Sequence, residues 1–296
     1  MRAFIVKKLK ERKMATTATA PCSTSAASCT APRPDLPRSS AHTQRQCAVF
    51  NTLSAELRLL IYHAALADSR RLLHFLHVTP YKGEPRPMGH WRCEDRDSPY
   101  PIWQHRCFGC WAEDNTRWHR KASHTNSDLI SLLLTCRLIY SEAVEVLYAE
   151  NHFSFRGARG VVKFQNLIAP PSWHALRYVH ISTTFLTPMK HWKRGSLPPE
   201  NYDHWESGCH ALSGLRRLQL LSIDMIVWDQ LNHENTDAIE HQSLIYIFGA
   251  LKAIRARTFQ IELNIKLPDQ VKNSLGPVPF EILYHERPYD RETFPL

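Results

Sequence analysis

Leu218-Gln219-Leu220-Leu221-Ser222-Ile223 and Thr258-Phe259-Gln260-Ile261-Glu262-Leu263-Asn264-Ile265, with a helical run from Ser243 to Ile254 between them, decide the fold class. The second segment alternates apolar and polar residues strictly, the period of a half-buried strand. The same succession occurs upstream. His152-Phe153-Ser154-Phe155 reads as a short strand, Val161 to Ile168 as a short helix closed by Pro170-Pro171, and Leu176-Arg177-Tyr178-Val179-His180-Ile181 as another strand. Strands alternating with helical segments imply crossover connections and a parallel sheet, so the fold class is α/β with a small, mainly parallel sheet. The spacing from strand to strand is uneven, whereas a regular solenoid keeps its period; the sheet is leucine-rich-repeat-like only loosely. The Pro-rich chain after Pro268 reads as irregular.

Helices precede this sheet. Leu53 to Leu66 carries Leu53, Leu57, Leu60, Ile61 and Ala64 at steps of three and four, an amphipathic stripe that should be buried. Glu56 lies in the first turn, where the helix dipole favours a negative charge. Arg71 to Val78 fits a strand or a helix end. Residues 127–150 read as one helix with Leu129, Leu133, Cys136, Tyr140, Ala143 and Leu147 on one face, and with Cys136 as a small core residue. The stripes of the two helices should pack together. Arg58 and Glu56 on the first, and Arg137 and Glu142 on the second, make either a binding surface or an ion-pair lattice between the helices; the lattice is the preferred reading.

Two segments carry a resemblance. Leu53-Ser54-Ala55-Glu56-Leu57-Arg58-Leu59-Leu60-Ile61-Tyr62 looks like the opening of an F-box, and Asp128-Leu129-Ile130-Ser131-Leu132-Leu133-Leu134-Thr135-Cys136-Arg137 looks like its second half. With Ile139-Tyr140-Ser141-Glu142-Ala143 and the run from Leu147 to Phe155, this split version resembles a large fungal family whose domain is of unknown function and F-box-like. Ser54 stands where the motif usually has Pro. The resemblance implies no catalytic residue. It implies helices presented to the adaptor subunit of a cullin-type ubiquitin ligase, with Leu53, Glu56, Leu59 and Tyr62 as protein-binding residues, and a downstream sheet that holds a substrate. The expected function is therefore a non-catalytic adaptor or scaffold with a protein partner. The alternative is a regulatory protein that uses a Cys/His/Trp-rich insertion for metal or nucleic-acid binding.

Of the net charge of +9, residues 1–48 supply seven, with nine Lys and Arg against Glu11 and Asp35. The remainder is nearly neutral, which makes nucleic acid an improbable partner for the folded part. The basic segment is rich in Ala, Ser, Thr and Pro and is expected to be a disordered tail; a transit peptide and an electrostatic clamp are the other readings. Residues 49–185 then hold the F-box-like helices, a long irregular insertion at 79–126 and the first strands, and residues 186–296 the remaining units. Eight scattered cysteines show no secreted disulfide pattern, so a reducing compartment, cytoplasmic or nuclear, is expected. No apolar run approaches the roughly eighteen residues of a membrane span.

The insertion holds the most suggestive chemistry. Cys107-Phe108-Gly109-Cys110 has a metal-type spacing, with Cys93, His90, His105, His119 and His124 nearby. No second Cys-x-x-Cys or His-x-x-x-His half completes it. Loop thiols without a metal are the preferred reading, so no metal ligand and no cofactor is assigned. Asp224 and Asp229, flanking Trp228, read as a solvated turn. With ten glycines in the chain and no phosphate-binding glycine loop, Gly-x-Ser-x-Gly or His-Glu-x-x-His, no enzyme class is indicated.

Overall fold

The structure, a computed structural model, describes residues 48–76, 89–105, 107, 110–111, 118–119, 129–188, 200–229 and 239–285. The expected tail at 1–48 lies outside these residues apart from Ala48. So do most of the insertion between 112 and 128 and the stretch at 77–88.

The helical head consists of α1 (Ala48–Thr52), α2 (Ala55–Leu66), α3 (Leu129–Thr135) and α4 (Arg137–Glu150). Ser54 caps α2, its Oγ accepting the Leu57 N–H at 3.4 Å. The helix expected over 127–150 is broken. Cys136 adopts an extended conformation and caps α4, its Sγ accepting the Ile139 N–H at 3.4 Å. The apolar stripe runs unbroken through the letters, but the break turns it. Leu129, Leu133, Ala143 and Leu147 are buried, while Tyr140 is exposed.

The sheet contains β1 (Leu72–Leu76), β2 (Gly89–Arg92), β5 (His152–Arg156), β6 (Tyr178–Thr187), β7 (Leu220–Asp229), β8 (Thr258–Leu263) and β9 (Glu281–Tyr284). Its order is β2-β1-β5-β6-β7-β8-β9, with every pair parallel except β1 and β2. A separate two-stranded piece joins β3 (Cys110–Trp111) to β4 (Trp118–His119). From β5 onward each strand lies beside its predecessor in the chain. The connections all step the same way, and right-handed crossovers then put their helices on one face. These are α5 (Ala158–Leu167), α6 (Pro170–His174), α7 (Tyr202–Ser213), α8 (His241–Leu251) and α9 (Asp269–Leu275). Accordingly α5 packs on α7, α7 on α8 and α8 on α9. The polar letters of 200–215 hide α7, whose Tyr202, Trp205, Cys209 and Leu212 turn inward. Among the described residues, which end at 285, the chain after Pro268 is not irregular: it forms α9 and the edge strand β9. Strand β6 spans the point at 185 where the sequence suggests a boundary, and the sheet continues through it.

Strand alternation separates two faces. Phe153, Val179, Leu221 and Phe259 pair in one row, and Phe155, Ile181, Ile223 and Ile261 in the next; all are buried against the helices. Phe164 of α5 sits over this face, 4.4 Å from the Phe75 ring and 5.3 Å from that of Phe155. The opposite face is polar, with rows His74, Ser154, His180, Ser222, Gln260 and Arg156, Ser182, Asp224, Glu262. Gly157 joins β5 to α5 at φ 75°, ψ 166°, a conformation essentially restricted to glycine.

Candidate functional site

On α2 the buried residues are Tyr62 and Leu66, with Arg58 half-buried one turn earlier. That face looks at α4 because Glu142 supplies its polar partners. Arg58 Nη2 and Nε donate to the Glu142 carboxylate at 2.7 and 3.0 Å, and the Tyr62 hydroxyl donates to Oε2 at 2.9 Å. The ion-pair reading of these helices thus holds for Arg58 and Glu142. Burial and the Glu142 bond push the Tyr62 phenol up to about 12. The stripe expected to be buried is the exposed one: Leu57, Leu60 and Ile61 are 49, 64 and 48% exposed, and Leu59 is 42%.

Of the four residues proposed as protein-binding, Leu59 and Glu56 are exposed and Leu53 is half-buried. The Leu53 carbonyl accepts a bond from Arg58 Nη1 at 2.8 Å. Tyr62, at 2% exposure, faces the core and is unavailable to a partner. The carboxyl of Glu56 is held below its ordinary range by the Ser54 hydroxyl, consistent with a charge at the helix start. On α3, Ile130 and Leu134 are exposed as well.

A second constellation lies on the polar face of the sheet, where the insertion folds over it. Asp224 is no solvated turn. It sits within β7, 5% exposed, and its Oδ2 accepts the Ser182 hydroxyl and the Ile102 N–H, both at 2.9 Å. Ile102 opens a short 3-10 turn, Ile102–Gln104, that leads into His105. On the same face two half-buried histidines meet: His152 Nδ1 lies 3.2 Å from His180 Nε2, and burial pushes the His180 ring down to about 3.

Three further side chains meet beside β1. His74, Cys93 and His105 are all buried, and their ligand atoms lie within 4.8 Å of one another. Cys93 Sγ is 3.4 Å from His105 Nδ1 and 3.9 Å from Cys107 Sγ. Cys107 Sγ also accepts the Glu94 N–H at 3.3 Å and lies 3.7 Å from Asp95 Oδ2. Hydrogen bonding from the Cys93 thiol, helped by His74, holds the Cys107 thiol far below its ordinary value. The same bond, with burial, pushes Cys93 up. The sequence reading, loop thiols with no metal, has Cys93, His105 and Cys107 in view but not His74. A single histidine in an apolar strand gives no ligand signal until β1 pairs with β2. Of Cys110 only the backbone is described, in β3, and Asp229 ends β7.

Residues 42–273, from ahead of α1 into α9, match the model of a family described as Domain of unknown function (DUF7730). The chain belongs to that family. The DUF7730 match takes in the helical head, the insertion and the sheet as far as β8, so all these groups fall within it. No curated protein and no solved structure matches the chain. Among the described residues no helix is long and apolar enough to cross a membrane.

Proposed function

We propose that this chain is a non-catalytic interaction protein whose helix α2 docks a protein partner, the adaptor subunit of a cullin-type ubiquitin ligase. The observation that carries the reading is the orientation of α2. Arg58, Tyr62 and Leu66 turn inward, and Leu57, Leu59, Leu60 and Ile61 are left in water. Scattered exposed leucines are ordinary, but four large apolar side chains within five residues of one helix are a common mark of a docking face. The split F-box-like motif supports the identity of the partner, because its first half is this helix. Behind the head, a sheet whose strands from β5 onward follow chain order suits a substrate-holding platform. No nucleic acid is invoked for the folded part, and the place of action is the cytoplasm or nucleus.

Leu59→Asp and Leu60→Asp test the proposal in the full chain. Each replaces an exposed side chain, so circular dichroism and melting should match wild type. Capture of the purified ligase adaptor should fall at least about tenfold, the cost of leaving a charge in an apolar contact. Undiminished capture by both variants would show that α2 is not the docking surface. If wild type captures no adaptor, the ligase reading falls.

A further inference from the structure

We infer that His74, Cys93, His105 and Cys107 form a structural zinc site that fastens the insertion to the polar face of the sheet. The four residues come from three separated pieces of chain. His74 projects from β1 on the face opposite Leu73 and Phe75, which face the helices. Cys93 follows β2 directly, placed by its own N–H donating to the Leu72 carbonyl at 2.8 Å. His105 and Cys107 follow the 3-10 turn that Asp224 holds through the Ile102 N–H.

Both edges at Cys93 have the spacing of ligands around one ion. With Zn–S near 2.3 Å and Zn–N near 2.0–2.1 Å, a tetrahedron has S···S edges of about 3.8 Å and S···N edges of about 3.6 Å. Cys93 and Cys107 show 3.9 Å between sulfurs, and Cys93 to His105 Nδ1 is 3.4 Å. The remaining ligand, His74, lies within 4.8 Å of both Cys93 and His105. A disulfide needs sulfurs at about 2.05 Å, far closer than these. Two thiolates and two neutral imidazoles also balance a divalent ion, so the buried site carries no net charge to desolvate. Two sulfurs and two nitrogens in tetrahedral array select zinc among common divalent metals, and four protein ligands leave no open position for catalysis. The Glu94 N–H directed at Cys107 Sγ is the outer-shell donor such a thiolate takes.

The consequence is mechanical. The described insertion holds little of the apolar core, and a metal clip closes its loop where packing is thin. The inference is independent of the docking role of α2.

The test uses the full chain, purified under reducing conditions and supplied with zinc alone. Wild type should retain one zinc ion per chain. Cobalt(II) in its place should give the absorption of a tetrahedral ion with two thiolate ligands. Cys93→Ser and Cys107→Ser should each lower retained zinc at least about tenfold. Cys110→Ser should leave it unchanged. Wild type that binds no zinc, or that carries a Cys93–Cys107 disulfide instead, overturns the inference. So does loss of zinc from Cys110→Ser equal to that from Cys107→Ser, which would place the ion in the adjacent Cys-x-x-Cys. Should the serine variants fail to fold, the cobalt spectrum of wild type decides alone, since absent thiolate-to-metal bands exclude the site.

Discussion

Arg58 and Glu142, 84 residues apart in the chain, meet at two points, Nε to Oε2 at 3.0 Å and Nη2 to Oε1 at 2.7 Å. This fork joins α2 to α4, and the Tyr62 hydroxyl completes it. Bidentate geometry fixes the approach of the two helices as well as adding attraction. It also selects which face of α2 is turned to water.

The pair should be visible in acid. The bond from Arg58 holds the Glu142 carboxyl below its ordinary value of 4.5 in the folded chain. A depressed folded value stabilises above the unfolded one, and that contribution is lost as pH falls through the folded value. Glu142→Gln should lower the melting midpoint at neutral pH by about 2–4 °C. It should also flatten the decline of stability below about pH 4.5. Melting curves of both proteins across that range decide it; parallel acid limbs would show that Glu142 is not the group titrating.

Core and surface of the head should separate cleanly. Leu133 is 6% exposed inside the cluster that includes Tyr62 and Leu147. Leu133→Ala should cost about 2–5 kcal/mol through the cavity it leaves. Glu145 pairs with Arg217 at 2.8 Å, but both side chains are about half exposed. Glu145→Ala should therefore change stability by less than about 0.5 kcal/mol. Urea denaturation measures both. Comparable losses would mean that the exposed Glu145–Arg217 contact holds the head as firmly as the buried cluster does.

The packing of α5 on α7 depends on one missing side chain. A Cβ on Gly208 would lie 2.5 Å from Ala158 Cβ and 3.1 Å from both Cα and the carbonyl oxygen of Ala158. Two of those atoms are backbone, so a helix must move rather than a rotamer. Gly208→Ala should destabilise by about 1–3 kcal/mol despite the helix propensity gained. Gly249 has open space around an added Cβ, and Gly249→Ala in α8 is the matched control. A Gly208→Ala protein as stable as this control would mean that the two helices are not so closely packed.

The sheet was legible in the sequence because its strands obey local rules. Thr258 to Leu263 alternates in letters and alternates in burial. The helical head was legible as elements but not as faces. Apolar periodicity placed Leu57, Leu60 and Ile61 inward, while the polar link from Glu142 to Arg58 and Tyr62 turned α2 the other way. Long-range polar partners have no signature within one helix. The break at Cys136 escaped for a related reason, since a cysteine cap resembles an apolar core residue in a pattern. At the metal cluster, Cys93, His105 and Cys107 were within sequence reach. His74 becomes their neighbour only through the antiparallel register of β1 and β2, which no spacing rule supplies.

Glu200 offers the sharpest test of the interior. Its side chain is buried at the start of the α7 segment, where Oε2 accepts the Ala158 N–H at 2.8 Å and the Thr183 hydroxyl at 2.9 Å. Burial raises the carboxyl from 4.5 to about 7, against those two bonds and the Arg159 charge, which lower it. Here the sign is opposite to that of Glu142. The folded chain binds the proton more tightly than the unfolded one. The stabilising contribution is full below the unfolded value, declines as pH rises from about 4.5, and is gone above about 7. Glutamine keeps an acceptor oxygen for Ala158 and Thr183 but cannot ionise. Glu200→Gln should therefore match wild type near pH 5 and exceed it near pH 8, by at most about 3 kcal/mol for a shift of this size. Chemical denaturation of both proteins at the two pH values gives the difference directly. A variant less stable than wild type at the higher pH would show that Glu200 is held as a carboxylate, with its charge satisfied inside the fold.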